Sequence, residues 1–197
     1  IQQMKVKQEP IAMVTAYDYT AAKIIAGTNI PMVLVGDSMG QVVLGFDSTI
    51  PVTVEDIVRA TSSVVRGTKR SLVVADMPFL SYQIDPNTAL KNAGKIIQEG
   101  GAQAVKLEGG LSVIPVVKKL TESGVAVMGH IGLTPQSGHQ LGGYRVQGKS
   151  KIAANQLLRD AISLQEAGVF SIVLELIPLE LAKEISNNLD IPTIGIG

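Results

Sequence analysis

Four short apolar runs in this chain each stop on a carboxylate. Met32-Val33-Leu34-Val35 leads into Gly36-Asp37-Ser38, and Leu72-Val73-Val74-Ala75 into Asp76. Gln103-Ala104-Val105-Lys106-Leu107 ends in Glu108, and Ser171-Ile172-Val173-Leu174 in Glu175. An aliphatic, β-branched run of this length reads as a buried parallel strand that delivers its last side chains to whatever lies beyond its C-terminal end. One acidic ending says little, because an Asp after a strand often caps the next helix; four on separate strands describe a site. Lys106 and Glu108 stand two apart and so share one side of their strand, with Leu107 on the other. A fifth run, Val125-Ala126-Val127-Met128, ends in Gly129-His130. Asp18, Asp47 and Glu122 are left as caps or solvated charges.

Four carboxylates and one ammonium at a common mouth leave about three negative charges uncompensated, which is costly in partly dry surroundings. A divalent cation relieves most of that cost. Oxygen ligands with little imidazole and no thiolate point to Mg²⁺ or Mn²⁺ rather than Zn²⁺. Mg²⁺ takes one or two carboxylates and keeps water or substrate oxygens elsewhere, so Asp37 and Asp76 are the expected direct ligands and Glu108 acts through water. Such an open cation suits bidentate chelation of a 2-oxo acid and stabilises its enolate. Glu175 is the candidate base, with Val173-Leu174 before it and Leu176-Ile177 after it expected to desolvate it and raise its pKa. Lys106, held charged by Glu108 beside it, faces the substrate carboxylate or the enolate. The Ser38 hydroxyl and backbone amides near Gly36 complete the anion site. His130 has two readings, a substrate contact and a structural hydrogen bond. Nothing is assigned to His139, and Met13, Met32 and Met128 read as core.

To bring these groups together the chain needs a repeating frame, and it has one. Strands predicted at 12–16, 32–35, 72–76, 104–108, 125–128, 169–175 and 192–196 alternate with helices, mostly in the order strand, polar loop, helix, glycine, strand. The helices are expected from 21 to 26, from Thr53 to Gly67, from the Asp85-Pro86 cap to Gly100-Gly101, and over 112–123, 153–167 and 178–189. A Gly- and Thr-rich loop follows strand two, and a Gly-rich loop spans 133–149. The pattern predicts a (β/α)₈ barrel, in which post-strand loops carry the active site. A doubly wound sheet is the competitor, but Ala16-Tyr17-Asp18-Tyr19 is no dinucleotide-binding turn. The frame reads as one domain over 1–197 that stops after strand seven, with an eighth strand and closing helices expected beyond it.

Composition narrows the class. Hydrophobic residues make up 46% of the 197 and aromatic residues only 4%, so the core is aliphatic. Lys and Arg together number 17, as do Asp and Glu, so no global field draws nucleic acid or an anionic membrane. There is no Cys, which removes disulfides and thiolate chemistry. No apolar run approaches the roughly 20 residues that span a bilayer, and the polar opening is not a signal peptide, so a cytoplasmic protein is expected.

Ordered segments through the whole chain resemble the ketopantoate hydroxymethyltransferase family. They are Thr15-Ala16-Tyr17-Asp18, Leu34-Val35-Gly36-Asp37-Ser38, Asp47-Ser48-Thr49-Ile50-Pro51-Val52-Thr53, Ala75-Asp76-Met77-Pro78-Phe79, Val105-Lys106-Leu107-Glu108-Gly109-Gly110, Gly129-His130-Ile131-Gly132-Leu133-Thr134-Pro135-Gln136, Gly142-Gly143-Tyr144-Arg145-Val146-Gln147-Gly148 and Ile194-Gly195-Ile196-Gly197. The resemblance implies a TIM barrel of the phosphoenolpyruvate mutase/isocitrate lyase type. It implies transfer of a hydroxymethyl group from 5,10-methylenetetrahydrofolate to 3-methyl-2-oxobutanoate, giving 2-dehydropantoate on the way to pantothenate and coenzyme A. In such a family member Asp37, Asp76 and Glu108 serve one Mg²⁺ per subunit, Asp37, Ser38, Asp76 and Lys106 contact the oxo acid, and Glu175 accepts the proton. A large homo-oligomer, a decamer, is the family expectation. Rival readings are another Mg²⁺-dependent 2-oxo-acid aldolase or lyase on the same barrel, a Schiff-base aldolase through Lys106, and a catalytically idle scaffold. Lyases of this barrel generally use a cysteine-bearing loop, which this chain lacks.

Overall fold

The computed structural model of the protein describes residues 1–138, 143 and 145–197. Its seven strands are β1 (Met13–Thr15), β2 (Met32–Val35), β3 (Leu72–Asp76), β4 (Ala104–Glu108), β5 (Val127–Gly132), β6 (Ser171–Glu175) and β7 (Thr193–Ile196). All pair in parallel and in sequence order, curling into a nearly closed barrel. A doubly wound sheet would reverse its order midway. The helices are α1 (Gln2–Val6), α2 (Tyr19–Ala26), α3 (Met39–Val42), α4 (Val54–Gly67), α5 (Pro86–Gly100), α6 (Ile114–Glu122), α7 (Lys151–Glu166) and α8 (Leu179–Asn188).

The alternation of side chains along a strand sorts the residues into two layers. Val33, Val35, Val73, Ala75, Val105, Leu107, Ile131, Ile172 and Leu174 face outward and pack against the helices. The residues between them face inward: Met32, Val74, Ala104, Met128 and Val173 form an apolar plug, joined by Ile1, Ile11 and Met13. One step of two further along each strand, the same inward face turns polar, with Asp76 after Val74, Lys106 and Glu108 after Ala104, His130 after Met128, and Glu175 after Val173. The plug thus closes the bottom of the barrel and leaves ionisable groups at the top.

Local signals set the helices. Asp18, expected as a cap, accepts from Ala21 N at α2. Thr53 and Asp56 form a reciprocal capping box at α4, and Asp85 caps α5 with Pro86 in its first turn. Ser150 caps α7, which therefore begins two residues earlier than expected. Two short helices were not anticipated. In α1, Gln2 Nε2 and Lys5 Nζ reach Phe170 O and Ser186 O, tying that helix to the barrel base. In α3, part of the segment read as loop winds through Val42 N to Ser38 O and Val43 N to Met39 O.

Strand five is displaced from its expected place. Val125 N still bonds Leu120 O in the turn leaving α6, whereas Ile131 and Gly132 stay in register with Leu174 and Glu175. His130 is therefore inside β5, not past its end. The expected 133–149 loop contains a 3₁₀ turn at Pro135–Ser137. Residues 139–142 and 144, with His139, Gly142 and Tyr144 among them, lie outside the described residues. Among the described residues, no helix is long and apolar enough to cross a membrane.

Candidate active site

A cavity of about 210 Å³ opens at the C-terminal ends of the strands. Asp37, Ser38, Asp76, Lys106, Glu108, His130 and Glu175 all line it, together with Thr15, Leu34, Thr49, Pro135, Val173 and Ile196. The structure thus gathers every site residue expected from the sequence. A larger cleft of about 500 Å³, lined by Lys5, Glu9, Ile11, Asn187 and Thr193 among others, holds no comparable ionisable cluster.

Lateral register makes the contacts. Asp76 and Lys106 are partners across β3 and β4, and Lys106 Nζ lies 2.8 Å from Asp76 Oδ1. Glu108, about 6.6 Å along the same strand as Lys106, was expected to hold the ammonium. Asp76 is the nearer partner, because neighbours across a ladder face one another more closely than residues two apart on one strand. Asp37 follows β2, and its backbone N–H donates to Asp76 Oδ2 at 3.0 Å. That amide was expected to help bind a substrate anion; it is used instead on the protein's own carboxylate. Gly36 permits the approach, since a Cβ there would stand 2.8 Å from Ser38 Oγ and 3.3 Å from Asp76 Oδ2. The Ser38 hydroxyl already shares a 2.9 Å hydrogen bond with Tyr17 Oη.

His130 joins two halves of the site. Its Nδ1 lies 3.2 Å from Lys106 Nζ and 3.6 Å from Glu108 Oε1, and its Nε2 3.1 Å from Glu175 Oε2. Burial and the Lys106 charge hold its pKa below the ordinary value, so the ring is neutral. The ammonium has no lone pair, so Nδ1 accepts from it and Nε2 carries the proton toward Glu175. The Nε2 contact is off the line of an ideal hydrogen bond, as is the contact between Lys106 and Asp76 Oδ1. Catalytic contacts often tighten only with substrate bound.

Burial pulls the Lys106 pKa down, but Asp76, Glu108 and Asp37 together outweigh it and raise the pKa above its ordinary value. Lys106 is an ammonium. Burial, reinforced by Asp76, pushes the Asp37 carboxyl up to about 7. Glu108 rises to about 8, again chiefly through burial, with Lys106 opposing and Asp37 and Asp76 adding. Glu175 is less enclosed than expected, its side chain 16% exposed against 4–5% for its site neighbours. Leu174 and Ile177 turn away into the outer core. Leu176 takes a left-handed backbone angle of φ 47° and bonds Ile196 O.

Three further side chains at the site carry no role from the sequence, although Thr49 and Gln136 stand within the segments that carry the family resemblance. Gln136, in the turn after β5, is 5% exposed and donates from Nε2 to Asp37 Oδ2 at 2.8 Å and to Met77 O at 2.9 Å. Its backbone N–H donates to Glu108 Oε2 at 3.0 Å. Tyr82, 1% exposed, donates to Gln136 Oε1 at 2.8 Å and accepts from Glu108 N at 3.1 Å. Thr49 lines the cavity with its hydroxyl buried. Neutral residues in loops show neither periodicity nor charge, so only their contacts reveal them.

The donor set fits a hard divalent cation. Asp76 Oδ1 is buried without an aligned hydrogen bond and faces the Lys106 ammonium at 2.8 Å, and one oxygen of Asp37 and one of Glu108 are held by Gln136. Among the described residues no three His, Asp or Glu side chains form a ready cage. Two carboxylates with water or substrate completing the sphere is the arrangement Mg²⁺ prefers.

The family model for ketopantoate hydroxymethyltransferase matches residues 1–197. A 3-methyl-2-oxobutanoate hydroxymethyltransferase from Roseiflexus sp. (strain RS-1) is 57% identical over 197 residues, all of this chain and 70% of that one. The enzyme of the same name from Dehalococcoides mccartyi (strain ATCC BAA-2266 / KCTC 15142 / 195) is 55% identical over the same 197 residues, again covering 70% of the relative. Among solved structures, a phosphonopyruvate hydrolase in complex with oxalate and Mg²⁺ superposes with a TM-score of 0.72 at 10% identity, over 98% of this chain and 69% of that one. A 2,3-dimethylmalate lyase of the phosphoenolpyruvate mutase/isocitrate lyase superfamily gives 0.67 at 15% identity, with the same coverage. At such identities the structural likeness speaks for the barrel alone, and it agrees with the barrel type expected from the sequence.

Proposed function

The chain belongs to the ketopantoate hydroxymethyltransferase family, and from that premise we propose that it transfers a hydroxymethyl group from 5,10-methylenetetrahydrofolate to 3-methyl-2-oxobutanoate, giving 2-dehydropantoate for pantothenate and coenzyme A synthesis. The observation that carries the reading is the meeting of Asp37, Asp76, Lys106, Glu108, His130 and Glu175 around one small cavity.

Asp37 and Asp76 would hold Mg²⁺, with Glu108 reaching it through water. When bound, the ion polarises the carboxylate and carbonyl oxygens of the oxo acid and so acidifies the carbon beside the carbonyl. Lys106, a buried ammonium, adds fixed positive charge where negative charge develops. Glu175 takes the proton from carbon 3, and that carbon bonds the one-carbon unit of the cosubstrate as its two bonds to the folate nitrogens break. One water supplies the hydroxyl oxygen, and the proton from carbon 3 and the second proton of the water end on the two nitrogens, giving tetrahydrofolate. His130, neutral, donates toward Glu175 through Nε2 and holds that carboxylate at the cavity wall. At about 210 Å³ the cavity is below the ~300–1,000 Å³ of drug-sized sites, which suits the small acid and leaves the folate at the open rim. Ser38 and Thr49 lie along that wall as further polar contacts.

The fold and the family also support reading the protein as a cytoplasmic homo-oligomer. Exposed Val42, Val43, Leu44 and Phe46 form an apolar stretch of the kind that interfaces cover.

The test is formation of 2-dehydropantoate from the oxo acid and 5,10-methylenetetrahydrofolate, followed by mass spectrometry. Activity should vanish with EDTA, return with Mg²⁺, and leave no borohydride-trapped adduct on Lys106. Activity that survives EDTA, together with substrate-dependent trapping, would replace this reading with a Schiff-base aldolase. That alternative needs an uncharged lysine, and the carboxylates around Lys106 oppose it.

A further inference from the structure

We propose that Gln136 is a positioning residue that decides which carboxylate oxygens of Asp37 and Glu108 face the cation. The inference rests on the cation-dependent function above and adds the element that sets its ligand geometry.

Both hydrogens of the Gln136 amide are committed, one to Asp37 Oδ2 and one to Met77 O. Its Oε1 accepts from Tyr82 Oη at 2.8 Å and Gln83 Nε2 at 3.1 Å. All four bonding positions of the side chain are therefore filled. Turning the amide over would set Oε1 against Met77 O, which cannot donate, and Nε2 against the donor Nε2 of Gln83. Its backbone N–H, free in the first turn of the 3₁₀ segment, holds Glu108 Oε2.

One residue thus spans the barrel mouth from the end of β5 to the loops after β2 and β3 and the end of β4. Among the described residues, the hydrogen bond that holds the Asp37 carboxylate comes from Gln136. An N–H donor on Oδ2 of Asp37 and another on Oε2 of Glu108 fix the rotation of both carboxylates, leaving Asp37 Oδ1, and Glu108 Oε1 beside His130 Nδ1 at 3.6 Å, without a Gln136 donor. A carboxylate free to rotate would present either oxygen and lose the fixed direction that octahedral coordination requires. Tyr82 keeps the amide oriented and, through Glu108 N, fixes the backbone beside the second carboxylate.

The experiment measures Mn²⁺ affinity by electron paramagnetic resonance of the free aqua ion, for the unmodified protein and for Gln136→Met, Tyr82→Phe and Asn92→Ala. Gln136→Met keeps the volume and the backbone N–H but removes the amide, and it should weaken Mn²⁺ binding by about 10- to 100-fold. Tyr82→Phe, which loosens the amide without removing it, should weaken binding severalfold and serves if the first variant does not fold. Asn92 braces the same β3–α5 loop through Ser81 O but touches neither carboxylate. Its variant should melt earlier while binding Mn²⁺ as the unmodified protein does. Folded Gln136→Met and Tyr82→Phe variants with unchanged affinity would overturn the assignment, and so would an equal loss in Asn92→Ala. Absence of saturable Mn²⁺ binding in the unmodified protein would instead overturn the cation reading, and the inference with it.

Discussion

His130 Nε2 stands 3.1 Å from Glu175 Oε2, across the ladder that joins β5 to β6. Glu175 is a turn-side residue with 16% of its side chain exposed, and a carboxylate so placed has freedom to swing into solvent. The neutral imidazole, held by burial and by Lys106, keeps its Nε2 beside that carboxylate without an aligned hydrogen bond. Of the two readings of His130 made from the sequence, the structure supports the hydrogen-bonding one, through Lys106, and it sets Nε2 beside the Glu175 carboxylate.

Glu175→Gln should retain oxo-acid binding within a few-fold, since the cavity shape is kept. Exchange of the carbon 3 proton into deuterated water should slow on the order of 10²-fold or more, the usual range for a lost general base. Nuclear magnetic resonance of 3-methyl-2-oxobutanoate with the protein and Mg²⁺, without folate, reads this step in isolation. Undiminished exchange would remove Glu175 from the role.

The raised carboxyls give a pH signature. Asp37 moves from 3.8 to about 7 and Glu108 from 4.5 to about 8 in the folded protein. Between about pH 4 and pH 8 the folded state then binds protons that the unfolded chain has released. Without a divalent ion, the stability these groups contribute is present below pH 4 and is lost as the pH rises through about 8. Mg²⁺ favours the ionised carboxylates, so its binding releases protons and strengthens over the same rise. The melting-temperature difference between Mg²⁺ and EDTA should widen from about pH 6 to about pH 8. A difference independent of pH would show that these carboxyls do not meet the ion.

Asp76→Asn keeps an acceptor for Asp37 N but removes the charge opposite Lys106. Breaking a buried pair from one side costs about 3–5 kcal/mol. The lower end is expected here, because Glu108 and Asp37 still face the ammonium. Chemical denaturation measures that loss. Titration calorimetry should show Mg²⁺ and oxo-acid affinities falling together; a fall in turnover alone would refute the ligand assignment.

Much of this architecture was legible because two periodicities coincide. An apolar run with an acid at its end encodes both the buried strand and the group it delivers, so β3 and β4 match their expected bounds. His130 was misplaced because Gly129 and Gly132 look like turn residues, whereas the ladder to β6 continues through both. The pairing of Lys106 with Asp76 depends on register between strands, which a linear pattern does not contain. Gln136 and Thr49 stand in family-like segments, but their roles, like that of Tyr82, were not legible because uncharged loop residues gain their meaning from the groups they meet across the barrel mouth.

Gly132 offers the strictest test of how the site is braced. Its φ is +95°, a region that side-chain-bearing residues rarely adopt, and a Cβ there would stand 2.1 Å from the carbonyl oxygen of Glu175. That oxygen also accepts the Leu133 N–H at 2.8 Å, so the base and the segment leading to Gln136 are fastened at one point. Neither backbone can yield without breaking that bond or shifting Glu175 from His130. Gly132→Ala should therefore lose more than about 3 kcal/mol in chemical denaturation, beyond the usual effect of a single substitution. Gly138→Ala, at a position with open space around it and no left-handed angle, should change stability by less than about 0.5 kcal/mol. Equal stability of the two variants would mean that the β5–β6 junction adapts, and that the placement of Glu175 does not depend on it.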